Sequence, residues 1–166
     1  MLKNLKKNHS GFTIIEVLIV LAIAGLIMVA VFTAVPALQR NGNNTTKRGD
    51  ASKALGAVSE FIANNNGKVP ATANIATLTS SANLSNGTTI TAAIPTTVAG
   101  ITTPTASEIE IVTGVVCNQA ATPVTAAAPT AANYQIMVTA GSARSYVAVY
   151  SVEASGGQFT TQCTGS

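Results

Sequence analysis

One stretch constrains this chain more than any other: the uncharged apolar run from Val17 to Val35, 19 residues long, with a single carboxylate, Glu16, at its N-terminal edge. At about 1.5 Å per residue, a helix of that length spans most of a bilayer's ~30 Å hydrocarbon core. From Phe12 to Val35 there are 15 Leu, Ile, Val or Phe residues. At roughly −0.3 to −0.6 kcal/mol each they favour insertion by about 5–9 kcal/mol, against about 2.5–3.5 for one acid at mid-helix. Insertion wins with Glu16 present. The acid then either reaches the headgroups from the helix end or has a cationic partner inside the apolar layer. No Lys or Arg lies between Lys7 and Arg40, so the helix itself cannot supply that partner. Cleavage after Gly11 would create one, the α-amino group of Phe12.

The segment before the run is basic, with Lys3, Lys6 and Lys7. Basic leader, Gly11, Phe12, Thr13, two aliphatics, Glu16 and a long apolar helix together resemble a type IV prepilin or a close relative. The resemblance covers residues 7–38 closely; the rest matches as an architecture. It implies cleavage between Gly11 and Phe12 by a prepilin peptidase and N-methylation of Phe12. It further implies an assembly platform with an ATPase motor, and polymerisation into a filament cored by the apolar helices. Assembly would pair Glu16 with the Phe12 ammonium of a neighbouring subunit. Pro36 is the expected helix kink, further from the cleavage point than the helix-kinking proline of the best-known pilins.

Other targeting signals fit less well. A secretory signal peptide has a shorter apolar region without an acid, and no Cys follows the run to take a lipid anchor. The pI near 9.1 invites a nucleic-acid reading. Three of the nine basic residues lie in the leader, and without residues 1–11 six cations face six anions. No basic footprint remains, so no nucleic acid is expected as a partner of the subunit. With 9% charged residues, the exported surface is nearly neutral, which suits close packing of identical copies.

Four segments are expected: a leader at 1–11, a membrane and filament-core helix at 12–35, a kink with weak linker and amphipathic helix at 36–64, and a globular head at 65–166. The linker Arg40–Gly49 has poor helix propensity and reads as weak helix, melted helix or loop. Asp50 can cap a helix reaching Asn64, whose stripe Ala51, Ala54, Leu55, Val58, Phe61 and Ile62 faces a core. Asn64 to Gly67 ends it. A short helix near Ile75–Leu78 and a strand near Thr88–Ala92 are expected in the Thr-rich middle. Asn83-Leu84-Ser85 and Asn86-Gly87-Thr88 match glycosylation acceptors, coincidental in a prokaryotic chain.

Strand signals then fall at Glu108–Cys117, Tyr134–Thr139, Ser145–Val152 and Gln158–Cys163. Ala140–Arg144 reads as a hairpin loop, Asn118–Ala132 as a long exposed one. The fold class expected is α+β, a long N-terminal helix on a three- to four-stranded antiparallel sheet. Glu108 and Glu110 share a strand face and read as solvated.

His9, the only histidine, lies in the leader, and Cys117 and Cys163 stand 46 residues apart. Neither a nucleophile–histidine pair nor a zinc site follows. An enzyme is not expected, and neither a cofactor nor a metal. Both cysteines lie outside the membrane in this topology. In an oxidising compartment two cysteines allow one disulfide; two unpaired thiols are the alternative. Many pilins close this region with a disulfide, so the resemblance favours the bridge. The function expected is a pilus subunit serving adhesion, twitching motility or DNA uptake: a membrane precursor that ends as an extracellular filament. A pseudopilin of a secretion or competence apparatus, or a lone membrane-anchored adhesion domain, are the alternatives.

Overall fold

The computed structural model describes residues 11–85, 87–91 and 94–165. The leader residues Met1–Ser10 and the acceptor Asn86 lie outside them, as does the end of the strand expected at Thr88–Ala92. The chain divides into two units, residues 1–39 and 40–166.

A single helix, α1 (Ile14–Asn64), contributes to both. In the first unit every residue from Gly11 to Gln39 is exposed. Its most apolar 18-residue window has a mean hydropathy of 3.0 and is 0% buried. Such a surface has no partner among the described residues, and the helix is long and apolar enough to cross a membrane. Pro36 lies inside α1 without breaking it. Thr33 turns its hydroxyl onto the carbonyl of Ala30 at 2.8 Å, which hides that polar group from an apolar surrounding.

In the second unit α1 remains helical through Arg40–Gly49, where propensity is poor. Long-range bonds explain why. Asn44 Nδ2 donates to the Glu153 carbonyl at 2.8 Å, and the Glu153 N–H donates to Asn44 Oδ1 at 2.7 Å. Asn43 Nδ2 adds a bond to Glu153 Oε1 at 3.2 Å. Asp50 is not the expected cap. It is buried in mid-helix, where Oδ1 accepts from the Ser85 N–H, the Ser85 hydroxyl and the Lys53 ammonium. The stripe beyond it packs as expected: Ala51, Ala54 and Val58 are fully buried, with Leu55, Phe61 and Ile62 around them. The helix ends where Asn66 and Gly67 take positive φ and the Gly67 N–H returns to the Ile62 carbonyl, a glycine-assisted C-terminal stop.

After α2 (Ile75–Ala82) come β1 (Thr89–Ile90), β2 (Glu108–Thr113), β3 (Val115–Cys117) and β4 (Thr125–Ala126). A short helix α3 (Ala131–Gln135) precedes β5 (Val138–Ala140), β6 (Tyr146–Glu153) and β7 (Phe159–Gly165). The main sheet has the order β1-β2-β6-β7-β4, and β3 pairs with β5 in a second, two-stranded sheet. The α+β class stands, but the sheet is mixed: β1 runs parallel to β2. The described part of their connection, residues 94–107, is a strap that meets the sheet through Ile101 and Thr102, and a parallel pair needs a connection of a dozen or more residues.

Three further expectations are corrected. Gly114, at φ 75°, divides the strand expected at Glu108–Cys117 into β2 and β3; a Cβ there would meet the Thr96 carbonyl at 3.0 Å. The strand expected at Tyr134–Thr139 begins as α3, because Asn133 Oδ1 accepts from the Thr130 N–H and hydroxyl and starts a helical turn. Ala140–Arg144 does not join paired strands, since β5 pairs with β3 and β6 with β2 and β7.

Alternation along β2 and β6 gives the sheet two apolar faces. Ile109, Ile111, Ala148, Tyr150 and Val152 pack under α1; Val112, Val147 and Val149 pack with Ile101, Val115, Tyr134 and Val138 on the other side. Glu110 points to the second face. It is fully buried rather than solvated. Its carboxylate accepts the Thr102 N–H at 3.0 and 3.1 Å and the Thr102 hydroxyl at 3.2 Å, tying the strap to the sheet.

Candidate processing and assembly site

The start of α1 is built by four residues. Gly11, Phe12 and Thr13 are non-helical and exposed, so the Gly11–Phe12 bond precedes the first helical turn. Thr13 and Glu16 bond reciprocally. The Glu16 N–H donates to Thr13 Oγ1 at 3.4 Å, and Glu16 Oε2 accepts from the Thr13 hydroxyl at 3.2 Å and the Thr13 N–H at 3.4 Å. This is a capping box, with Thr13 as cap and Glu16 three residues on. An acid in the first turn also meets the positive end of the helix dipole. The sequence signal for this cap is the Thr-x-x-Glu spacing of Thr13 and Glu16 just before an apolar run.

Glu16 thus has a partner inside the uncut chain, though an uncharged one. It makes no ion pair; among the described residues the only salt bridge is Lys53–Asp50 at 3.1 Å. Phe12 and Glu16 border one open hollow with Val17, Val20 and Leu21. While the Gly11–Phe12 peptide is intact, the Phe12 nitrogen is an amide and carries no charge.

In the second unit, Cys117 and Cys163 form a disulfide, which joins β3 to β7 and encloses β4, α3, β5 and β6. Charged groups here are set by local partners. Burial pushes Asp50 up, but bonds from Lys53, Ser85 and Thr88 outweigh it and hold the carboxyl below its usual range. The Thr105 N–H and hydroxyl hold Glu108 low. Burial raises Glu110, the Glu108 charge adds to this, and the Thr102 bonds oppose it. Burial lowers Lys47, against the attraction of Asp50 and Glu108. No group of three or more metal-ligating side chains occurs among the described residues.

A family model described as the prokaryotic N-terminal methylation motif matches residues 6–32. The chain carries the class III signal peptide of type IV pilins and pseudopilins. The matched residues hold Gly11, Phe12, Thr13, Glu16 and most of the apolar run, which fits a membrane-anchored precursor. The motif supports a pilin- or pseudopilin-like protein and implies processing by a prepilin peptidase and pilus-type assembly. Proteins with it are structural subunits rather than an enzyme family. No curated protein and no solved structure matches the chain.

Proposed function

We propose that this chain is the structural subunit of a type IV pilus: cleaved after Gly11, N-methylated on Phe12, and drawn from the membrane into a helical surface filament. The observation that carries the proposal is the methylation motif at the start of a helix whose first half has no covered side chain. An apolar surface of that extent is satisfied by lipid before assembly and by other copies of the same helix after it. Cleavage converts the Phe12 amide to an ammonium that pairs with Glu16 of the neighbouring subunit. An unpaired carboxylate in an apolar core costs several kcal/mol, so the pair sets the axial register of each incoming copy. Pro36, which withholds one helix hydrogen bond, is where α1 bends in the assembled filament. The disulfide-closed head, nearly neutral in composition, is the exported surface and favours this reading over a pseudopilin.

Intact-mass measurement on filaments sheared from cells tests the processing. A chain beginning at methylated Phe12 is expected; retention of Met1, or a start near Ala24, refutes it. Glu16→Gln tests the pairing. Precursor levels in the membrane should match wild type while filament number falls about tenfold or more, the loss of one tenth-scale step per 1.4 kcal/mol. Normal piliation in the variant would reject charge pairing.

A further inference from the structure

The outer end of α1 and the helix α2 enclose a cleft of about 290 Å³, lined by Glu60, Phe61 and Asn64 from one side and Thr77, Leu78 and Ser81 from the other. Glu60 is the only exposed acid among the described residues of the second unit. Asp50 and Glu110 are buried, and Glu108 and Glu153 are half-buried and hydrogen-bonded. Twelve residues earlier on the same helix stands Arg48, exposed and without an ion pair among the described residues. We propose that this cleft receives the Arg48 side chain of a second copy of the chain.

The chemistry of the cleft suits a guanidinium. Its charged head wants a carboxylate in bidentate geometry, which Glu60 offers at the rim, and further acceptors, which Asn64, Thr77 and Ser81 offer. Its apolar stem wants an apolar floor, which Phe61 and Leu78 provide. A lysine would fit the floor but not the fork. The two charges also have the geometry of a contact that repeats. Twelve residues of helix separate them by about 18 Å along the axis and about 120° around it. In a filament whose copies all run the same way, each copy gives Arg48 to one neighbour and Glu60 to another. A contact of that head-to-tail kind propagates without closing. The proposal rests on the filament reading and adds to it a contact between heads, separate from Glu16 and the apolar helix.

Charge reversal tests it in full-length chains expressed in cells lacking the wild-type gene. Arg48→Glu and Glu60→Arg should each reduce sheared filament about tenfold, with precursor level and head melting temperature unchanged, because both side chains are exposed. The double variant Arg48→Glu/Glu60→Arg should return to within about threefold of wild type, and Arg48→Lys should fall between. Normal filament yield from either single reversal, or a double variant no better than the singles, overturns the contact while leaving the filament reading intact. Absence of filaments from the wild-type gene would instead overturn that reading, and the contact with it.

Discussion

Residues 14–39 and 40–64 belong to one helix and obey opposite rules. The first stretch is rich in Leu, Ile, Val and Ala, and buries nothing. The second contains Gly42, Asn43, Asn44, Thr45, Thr46 and Gly49, poor helix formers, and keeps its helix through bonds and burial supplied by residues far along the chain. Helical structure in the first stretch is local, and nothing among the described residues covers its apolar side chains. In the second the partner is already present. The same secondary structure thus carries an uncovered apolar surface in one place and a packed core in the other.

The comparison breaks most visibly at the disulfide. Cys117→Ser with Cys163→Ser opens a loop of 46 residues, for which chain-entropy arithmetic gives about 4 kcal/mol. That is much of the ~5–15 kcal/mol typical of a domain. Thermal melting in detergent should show the head destabilised by that order while the helicity of residues 14–39 persists. A melting temperature unmoved by the change would mean the bridge adds nothing to the head.

Paired valines sharpen the contrast. Val58 is fully buried, so Val58→Ala should cost the head about 2–3 kcal/mol. Val20 is 63% exposed, so Val20→Ala should leave head stability unchanged and register only in filament yield. Equal effects on melting would erase the distinction between the two stretches.

A smaller effect is expected from Asn44→Ala, which removes two bonds and strands the Glu153 N–H, a loss of about 1–2 kcal/mol. Hydrogen exchange should quicken in residues 40–49 and not in 51–62. Uniform exchange across both would show that Asn44 does not hold the weak segment.

The least effect, and the one with a pH signature, belongs to Glu110. Its folded pKa lies above the ordinary value of 4.5. The stability it contributes is therefore full below about pH 4 and is lost as pH rises through the raised value. Gln at this position still accepts the Thr102 N–H. Glu110→Gln should equal or exceed wild type at neutral pH, by on the order of 1 kcal/mol, and lose that advantage at acid pH. Asp50 and Glu108 are held low and act oppositely, losing stability as pH falls; both are present in each protein and cancel in the difference. A variant clearly less stable at neutral pH would refute the assignment.

Local signals in the sequence reached as far as local physics does. The apolar run, the Ala51–Ile62 stripe and the α+β class were legible, because each rests on periodicity or length; the Cys117–Cys163 bridge was one of two readings, favoured by the resemblance. What escaped depends on distant neighbours. Residues 40–49 are helical because Asn44 meets Glu153, 109 positions away. The parallel entry of β1 depends on a strap whose path no periodicity encodes. Alternation placed Glu108 and Glu110 on one face, but not that the strap would cover Glu110. Tyr134 has the composition of a strand residue and sits in a helical turn because Thr130 and Asn133 start one.

The Asn44–Glu153 bond has one more consequence. β2 pairs with β6 only over Tyr146–Val149, so the end of β6 offers an open N–H and C=O on that side. A side-chain amide carries one donor and one acceptor, as a peptide does, and Asn44 places both on Glu153. The helix thereby plugs a sheet edge that another chain would otherwise extend by strand addition, the usual route to aggregates. With Glu153 so occupied, the end of β6 presents no free peptide group there for a second chain to pair with.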